Sequence, residues 1–319
     1  MDEFDIIHRF FAPLTRGNPG AFALGDDAAI LPTRPGYEHV VTTDAIVAGV
    51  HFLNNESPDN IAVRLCACNL SDLAAMGAKP LGFTLACAWS RNTDIETISS
   101  FTNGLGQFVD RYDFPLLGGD TVTTDGPMMF SLTAIGEVAT GKALRRNAAK
   151  PGDSVYVSGT IGDGALGLMA AQEKLQGLSP SDLDFLANRY RRPTPRVATG
   201  LALAGRANAC IDISDGLLQD LGHICEQSSV SMRIESAKIP LSPAARAAIA
   251  FDPAQIEIIV SGGDDYELAF TGSSIEAIAD VPITLIGEVI EGAGEVSLID
   301  EAGQPVFMGK RGYNHFSGS

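Results

Sequence analysis

The sequence is short of basic residues, and this shortage excludes two classes of partner. It contains 22 Lys and Arg residues against 39 Asp and Glu residues, which gives a formal net charge of -17 at pH 7. Because a nucleic acid or an anionic membrane is bound through a basic surface, we expect neither to be a partner. A small anionic ligand would need metal ions or arginines placed locally around it.

The chain also lacks a run of about 18 apolar residues, which a membrane-spanning helix would need. Residues 1–4 are acidic rather than basic, so no secretory signal peptide is expected. These two absences predict a cytoplasmic location.

Cysteine is scarce, and the cysteines form neither a disulfide framework nor a metal-binding pattern. Their number is odd, most lie in apolar runs, and paired ligand spacing is missing. We predict buried, reduced thiols, because a metal bound through Cys66 and Cys68 would need ligands from elsewhere in the chain. The five are Cys66, Cys68, Cys87, Cys210 and Cys225.

What the sequence does contain is an alternation of strand-like and helix-like segments over 319 residues, with 45% hydrophobic content. Among them, strands are predicted over residues 39–47 and 115–117, and helices over residues 59–76 and 165–177. A chain of this length exceeds the size at which a single core stops growing, so two α/β domains are expected. The boundary is predicted within residues 140–153, which are basic, rich in small residues and end in turn chemistry. The predicted domains are residues 1–140 and 150–319.

Aspartates flanked by small residues recur in five places. Asp72 lies near the end of a helix predicted over residues 59–76, in an apolar setting where a carboxylate needs a cation or hydrogen-bond donor. If the five places converge, their repulsion requires divalent metal, and hard oxygen ligands favour Mg²⁺. This predicts a site for Mg²⁺-bound phosphates, although each aspartate alone could instead cap a turn or helix. The other four motifs are Gly25-Asp26-Asp27-Ala28-Ala29, Thr42-Thr43-Asp44, Gly118-Gly119-Asp120-Thr121 and Asp212-Ile213-Ser214-Asp215-Gly216.

Two further glycine-containing motifs suggest other nucleotide sites, and neither is favoured. Residues 162–167 fit the dinucleotide pattern Gly-x-Gly-x-x-Gly, but no second mononucleotide half follows, so a tight strand-to-helix turn is preferred. Residues 136–143 nearly fit a P-loop, but Ala143 stands where a Ser or Thr hydroxyl would hold Mg²⁺. A P-loop kinase is therefore not expected.

Eight motifs occur in order over nearly the whole chain. They are Gly25-Asp26-Asp27-Ala28, Thr42-Thr43-Asp44, Gly49-Val50-His51-Phe52, residues 69–77, Gly118-Gly119-Asp120-Thr121, Asp212-Ile213-Ser214-Asp215-Gly216, Gly262-Gly263-Asp264-Asp265-Tyr266-Glu267-Leu268 and Gly312-Tyr313-Asn314-His315-Phe316. Together they resemble the thiamine-monophosphate kinase family. The wider superfamily includes aminoimidazole ribonucleotide synthetase, selenophosphate synthetase and a hydrogenase-maturation protein, and the motifs at His51 and residues 312–316 point to the thiamine branch.

The resemblance implies a two-domain aminoimidazole ribonucleotide synthetase-like α/β fold. The N-terminal domain would bind ATP and Mg²⁺, and its sheet would pair with its twin in a homodimer to form a β-barrel. The reaction would be direct in-line transfer of the γ-phosphoryl group of ATP to thiamine phosphate, giving thiamine diphosphate. Because the attacking phosphate oxygen is already ionised, several Mg²⁺ ions and correct positioning would suffice, without a covalent nucleophile.

The same resemblance assigns the site residues. Metal would be held by Asp27, Thr42, Thr43, Asp44, Asp72, Asp120, Asp212 and Asp215. ATP would contact Gly119, Asp120, Arg146 and Ser214, and thiamine phosphate would contact His51, Asp264 and Tyr313. Arg146 suits a phosphate clamp because its planar guanidinium donates bidentately, with a solvated linker charge as the alternative. Asp264 departs from the Glu that the family usually has at this position, and its alternative role is to cap a turn.

Two other functions stay open at this point: an ATP-dependent, ligase-like member of the superfamily, and a non-catalytic nucleotide-binding maturation factor. We expect selenophosphate synthetase to carry a reactive Cys or selenocysteine near its start, and the maturation factor to use a C-terminal cysteine. Both alternatives therefore lack their chemical handle in this sequence, because the first cysteine is Cys66 and residues 315–319 contain none.

Overall fold

The computed structural model describes residues 3–25, 28–275, 278, 281–306, 309 and 312. The chain divides into two compact units. The first unit comprises Met1–Leu73 and Ala78–Gly141, and the second comprises Ala74–Gly77 and Lys142–Ser319. Strands and helices are combined in each unit, which confirms the predicted α/β class.

The first unit begins with short helical segments and continues with a four-stranded sheet and two long helices. The short segments are helix α1 (Glu3–Ile6), a π-helical turn (Ile7–Phe11) and two 3₁₀ segments (Ala12–Thr15 and Pro19–Leu24). The longer elements are β1 (Tyr37–Val47), α2 (Pro58–Ala75), β2 (Lys79–Ser90), α3 (Ile95–Tyr112), β3 (Leu116–Thr124) and β4 (Met129–Ala139).

The sheet of the first unit has the strand order β1-β4-β2-β3. Strand β4 runs antiparallel to both of its neighbours, whereas β2 and β3 are parallel. Because successive side chains of a strand point to opposite faces, Thr42 and Asp44 share one face of β1 and Thr43 points to the other. Thr42 and Asp44 are accordingly half-buried, and Thr43 is exposed.

Aromatic residues between α3 and the sheet form the core of this unit. Helix α3 starts where the Asp94 carboxylate accepts a hydrogen bond from the Thr97 N–H at 2.8 Å, as an N-cap does. Its buried Phe101 stacks on Phe130 of β4, with 4.5 Å between ring centroids. Trp89 of β2 meets the same Phe130 ring edge-on, so one aromatic cluster joins the helix to two strands.

The second unit is built on a six-stranded sheet flanked by helices. Its elements are a 3₁₀ turn (Arg146–Ala148), β5 (Ser154–Ser158), α4 (Asp163–Ala171), α5 (Pro180–Arg191), α6 (Val197–Leu203), β6 (Ala209–Asp212), α7 (Leu217–Ser228), β7 (Ser231–Glu235), a 3₁₀ turn (Ser236–Lys238), α8 (Pro243–Phe251), α9 (Gln255–Ser261), β8 (Leu268–Gly272), β9 (Ile283–Ile290) and β10 (Val296–Ile299). The strand order is β10-β7-β9-β5-β8-β6, and of these pairs only β10 and β7 are parallel.

Several element boundaries differ from the sequence predictions. The strand expected over residues 115–117 continues to Thr124, so Gly119 and Asp120 lie inside β3 rather than at its end. The helix expected over residues 165–177 ends at Ala171, because Glu173 adopts a left-handed φ of 58° that an α-helix does not accommodate. Helices α8 and α9 and strand β10 had no counterpart in the sequence interpretation.

The cysteines and the helices agree with two of the expectations. All five cysteines are buried and free, so the predicted reduced thiols are confirmed. In the part of the chain that the structure describes, we find no helix with the length and apolar character needed to cross a membrane.

Candidate active site

Two of the predicted metal ligands, Asp44 and Asp72, lie close together in the first unit. The Thr42 hydroxyl donates to Asp72 Oδ2 at 2.6 Å, which joins β1 to the last turn of α2. Beside it, the Asp44 N–H donates to Asn69 Oδ1 at 3.2 Å, and Asn69 Nδ2 donates to the Leu65 carbonyl at 2.9 Å. Residues 30 positions apart in sequence are thereby placed on one side of the sheet.

The electrostatics of this pair favour a bound cation. Burial and, to a smaller extent, the neighbouring charge of Asp72 together raise the pKa of Asp44 to about 6. Two half-buried carboxylates that repel each other are stabilised when a divalent ion binds between their oxygens. The donor set therefore fits Mg²⁺, as the sequence motifs predict.

The structure describes only part of the predicted metal set. Within the described ranges, no three side chains of His, Cys, Asp or Glu converge closely enough to hold an ion. Asp27, the next expected ligand, lies outside the described residues. The hydroxyl of Thr43 is directed elsewhere, because it donates to the Leu132 carbonyl at 3.1 Å and accepts from Thr133 Oγ1 at 3.1 Å. Asp44 and Asp72 are thus the part of the predicted cluster that the structure brings together.

Gly119 and Asp120, which are predicted to contact ATP, line a cavity of about 130 Å³ in the first unit. Both residues are exposed, and Asp120 Oδ1 accepts a hydrogen bond from the Thr121 N–H at 2.8 Å. Ala28 and Ala29, which directly follow the predicted ligand Asp27, line the same cavity. The wall is otherwise largely apolar and is formed by Ile7, Phe11, Leu24, Leu85, Leu116 and Leu117.

His51, a predicted substrate contact, is held in the turn that follows β1. Its Nδ1 accepts a hydrogen bond from the Val47 N–H at 3.1 Å, which places the proton of a neutral ring on Nε2. Its carbonyl oxygen accepts from Nε of the buried Arg64 at 3.1 Å. The imidazole is therefore fixed in one orientation as a potential hydrogen-bond donor.

In the second unit, Asp212 ends strand β6, and the loop that follows it carries Ser214 and Asp215. Asp212 is only 3% exposed, whereas Ser214 and Asp215 are half-buried. The N–H groups of Ser214, Asp215 and Gly216 all donate to Asp220 Oδ2 at 3.1 Å. Successive N–H groups of this kind commonly bind phosphate, and at this loop a carboxylate of the chain accepts them instead.

Asp220 was missed by the sequence interpretation, although it contacts the motif directly. Burial raises its pKa to about 7, while the hydrogen bonds from the loop act in the opposite direction. The signal in the sequence was weak, because an acidic residue in the first turn of a helix is common for purely local reasons.

Arg146 lies in an exposed 3₁₀ turn whose carbonyl oxygen accepts a hydrogen bond from Ser228 Oγ at 2.8 Å. Its guanidinium and the Asp212 carboxylate both act on the buried thiol of Cys210, where Asp212 raises the pKa and Arg146 lowers it. The Cys210 N–H also donates to the Arg145 carbonyl at 3.1 Å, so the residue before the predicted phosphate clamp lies against β6, the strand that ends in the predicted metal ligand Asp212.

Asp264, a predicted substrate contact, lies on a loop that packs against the Ser214 loop. Asp264 has a left-handed φ of 71°, and its N–H donates to the Ser214 carbonyl at 2.9 Å. Gly263 allows this contact, since a Cβ at that position would lie 2.0 Å from the Ser214 carbonyl oxygen. The hydroxyl of Tyr266 donates to Asp264 Oδ1 at 3.2 Å. Asp264 is thus placed beside the predicted ATP contact and is also part of a tight turn.

Asp265 explains why residues 162–167 are not a dinucleotide site. Its buried carboxylate accepts hydrogen bonds from the N–H groups of Gly162 at 2.7 Å and Gly164 at 2.9 Å. Burial raises the pKa of Asp265 to about 8. The position at the start of α4 where a pyrophosphate would bind is filled by this side chain, which supports the interpretation as a strand-to-helix turn.

Glu267 anchors the other end of the same motif. Its buried carboxylate accepts hydrogen bonds from Arg196 Nε at 2.6 Å, Arg189 Nη2 at 3.1 Å and Ser158 Oγ at 2.6 Å. The motif therefore combines two buried anchors, Asp265 and Glu267, with the half-buried Asp264. Tyr313 and the remaining C-terminal motif residues, 314–316, lie outside the described part of the chain.

Models of the AIR synthase related family match both units. The N-terminal domain model matches residues 25–138, and the C-terminal domain model matches residues 150–300. The thiamine-monophosphate kinase of Caulobacter vibrioides is 45% identical over 303 residues, covering 92% of this chain and 85% of the relative. The thiamine-monophosphate kinase of Escherichia coli (strain K12) is 40% identical over 325 residues, covering 99% of this chain and 98% of the relative.

Solved structures give the same result. The thiamine-monophosphate kinase of Stenotrophomonas maltophilia K279a has a TM-score of 0.79 at 40% identity, over 88% of this chain and 90% of that chain. AaThiL complexed with AMPPCP and TMP has a TM-score of 0.80 at 30% identity, over 92% of this chain and 91% of that chain. The chain therefore belongs to the thiamine-monophosphate kinase family of AIR synthase related proteins.

Proposed function

We propose that this protein transfers the γ-phosphoryl group of ATP to the phosphate of thiamine phosphate, giving thiamine diphosphate. One observation carries the proposal: a structure that matches 92% of this chain is a complex with AMPPCP and TMP, which correspond to the two substrates. The thiamine-monophosphate kinases of two bacteria, which are 40% and 45% identical to this chain, agree with that assignment.

The chemistry requires positioning and neutralisation of charge more than a strong base. The attacking oxygen belongs to a phosphate that is already ionised near neutral pH, so in-line transfer needs no covalent intermediate. The buried cysteines are poor nucleophiles, because burial raises the pKa of the Cys66, Cys87 and Cys210 thiols well above the ordinary value. These properties suit a direct transfer from ATP.

Mg²⁺ would neutralise the phosphate oxygens during transfer. Its proposed ligands are Asp27, Thr42, Thr43, Asp44, Asp72, Asp120, Asp212 and Asp215. The raised pKa of Asp44 beside Asp72 supports this role in the first unit, because these anions repel each other without a cation. In the second unit, the hydrogen bond from the Asp215 N–H to Asp220 supports the same role for Asp215. It restrains the loop, and a carboxylate on a restrained loop binds a cation with less loss of conformational entropy.

The substrate contacts are proposed residue by residue. Gly119 and Asp120 would contact ATP at the cavity that they line in the first unit. Ser214 and the exposed Arg146, both of the second unit, are also proposed to contact ATP. His51 would donate from Nε2 to thiamine phosphate, because its Nδ1 accepts a hydrogen bond and a neutral ring therefore carries its proton on Nε2. Asp264 and Tyr313 would contact the thiamine rings, one through a carboxylate and the other through an aromatic face.

We also propose that the first unit carries an interface with a second copy. Two apolar side chains on its edge strands are unusually exposed, Val41 of β1 at 63% and Val122 of β3 at 50%. Burying them in a homodimer would remove apolar surface from water. The cytoplasmic location remains a prediction of the sequence.

The test is a coupled ADP-release assay with thiamine phosphate, thiamine and the aminoimidazole precursor as competing acceptors. We expect turnover with thiamine phosphate alone, loss of activity in EDTA and recovery with Mg²⁺. Comparable turnover of free thiamine would remove the role of the acceptor phosphate. Full activity in metal-free buffer would overturn the assignment of the carboxylates.

A further inference from the structure

The first turn of α7 holds the loop of Ser214 and Asp215 by two side chains. Asp220 Oδ2 accepts hydrogen bonds from three successive N–H groups, those of Ser214, Asp215 and Gly216, at 3.1 Å each. Gln219 Nε2 donates to the carboxylate of Asp215 at 3.2 Å. One contact fixes the backbone of the loop, and the other fixes the orientation of the Asp215 side chain.

Because Asp220 accepts the backbone N–H groups of the loop, a ligand would contact the loop through its side chains. Three N–H groups that point the same way form a concave site that ordinarily attracts an anion. Here Asp220 supplies that anion from within the chain, and its carboxylate is buried. The loop conformation is therefore set by the protein itself.

We propose that Asp220 and Gln219 are positioning residues that preset Asp215 for Mg²⁺. The inference rests on the proposed function, which assigns Asp215 as a metal ligand. Side chains that hydrogen-bond to metal ligands commonly change metal affinity by about 10- to 100-fold when they are removed. A contribution of this kind requires that Asp220 and Gln219 act on Mg²⁺ through Asp215, without touching the ion.

The alternative is that Asp220 only stabilises the start of α7. Asp153 offers a matched comparison, because it is also a buried carboxylate of the same unit that accepts N–H groups, those of Lys150 at 3.0 Å and of the Asn208 side chain at 2.9 Å. Its turn, at residues 150–153, contains no predicted metal ligand. A purely structural role would make the two residues behave alike toward Mg²⁺.

The experiment compares Asp220→Ala, Asp220→Asn and Gln219→Ala with Asp153→Ala as the control. Mg²⁺ affinity is measured by calorimetric titration of the full chain saturated with AMPPCP, and thermal unfolding is followed without metal. We expect Asp220→Ala to weaken Mg²⁺ binding by about 10- to 100-fold. Asp220→Asn should recover part of the affinity because it retains an acceptor oxygen, and Gln219→Ala should show a smaller loss.

The control fixes the interpretation. Asp153→Ala should lower the unfolding temperature but leave Mg²⁺ affinity at the parent value. Parent-like Mg²⁺ affinity in Asp220→Ala and Gln219→Ala would overturn the proposal. If Asp220→Ala does not fold, Gln219→Ala tests the proposal instead. The Gln219 side chain is only half-buried on the helix, so its removal should not prevent folding. If the parent protein binds Mg²⁺ but does not phosphorylate thiamine phosphate, the proposed function is wrong. The Mg²⁺ titrations of the variants would still decide whether Asp220 and Gln219 are positioning residues.

Discussion

The N–H of Asp264 donates to the carbonyl oxygen of Ser214 at 2.9 Å, which ties a proposed substrate contact to a proposed ATP contact within the second unit. The bond is between backbone atoms, so it survives substitution of either side chain. Side-chain variants of Asp264 therefore test its carboxylate while the contact between the two loops is retained.

For Asp264, we expect the Glu variant to keep activity with an equal or lower KM for thiamine phosphate. The Ala variant should raise that KM with little change in the KM for ATP, because it removes the carboxylate that we propose contacts the thiamine rings. Steady-state kinetics with each substrate varied in turn measure both. Tyr266→Phe is the control for the turn, because it removes only the hydroxyl that donates to Asp264. If the Ala variant has the parent KM for thiamine phosphate, or if its KM for ATP rises equally, Asp264 stabilises the turn and does not bind the substrate.

For Asp72, replacement by Asn should abolish most turnover while the stability of the metal-free protein stays the same or rises. The amide keeps an oxygen that can accept from the Thr42 hydroxyl, and the repulsion of Asp44 is removed. Kinetics and thermal unfolding, with and without Mg²⁺, measure the two effects. The control is Asp110→Asn: Asp110 lies on α3 in an exposed ion pair with Arg16, and this variant should retain full activity. If Asp72→Asn melted far earlier than the parent without metal, Asp72 would be a structural residue.

Asp44 predicts a pH dependence of stability in the absence of metal. Its pKa is raised from 3.8 to about 6 in the folded protein, so between these values the folded state binds more protons than the unfolded state. The free energy of unfolding should therefore fall as pH rises from about 4 to about 6. Urea unfolding at a series of pH values measures this slope. Asp44→Asn and saturating Mg²⁺ should each make the slope shallower, and the remaining slope comes from Asp220 and Asp265, whose pKa values are also raised. An unchanged slope in Asp44→Asn would assign all of it to such other groups.

Glu267 predicts a large loss of stability. Glu267→Ala would leave Arg189 and Arg196 without their shared buried carboxylate, and removing one partner of a buried pair costs about 3–5 kcal/mol. Equilibrium urea unfolding measures the change. Asp125→Ala breaks an exposed pair with Arg91 and should have little effect. Equal effects of the two variants would show that the Glu267 network contributes no more than a surface pair.

The sequence by itself determined the family, the α/β class and the elements with strong local patterns. The apolar periodicity of α2 and the glycine after it predicted a helix over residues 59–76, and the structure has Pro58–Ala75. The β-branched residues after His39 likewise predicted β1. Such patterns are local, so one sequence is enough to identify them. The helix over 165–177 was predicted too long, since the left-handed turn at Glu173 has no comparable signal.

Only the tertiary structure decided which distant residues meet. The bond from Thr42 to Asp72 joins a strand to a helix 30 residues away, and Asp265 reaches Gly162 and Gly164 across more than 100 residues. Both contacts depend on the registers of packed elements, which the local pattern of either segment does not encode. The structure also shows that the Gly-x-Gly-x-x-Gly turn is satisfied by a carboxylate of the chain. The buried N–H groups of such a turn need an acceptor, and tertiary packing decides whether a ligand or the protein supplies it.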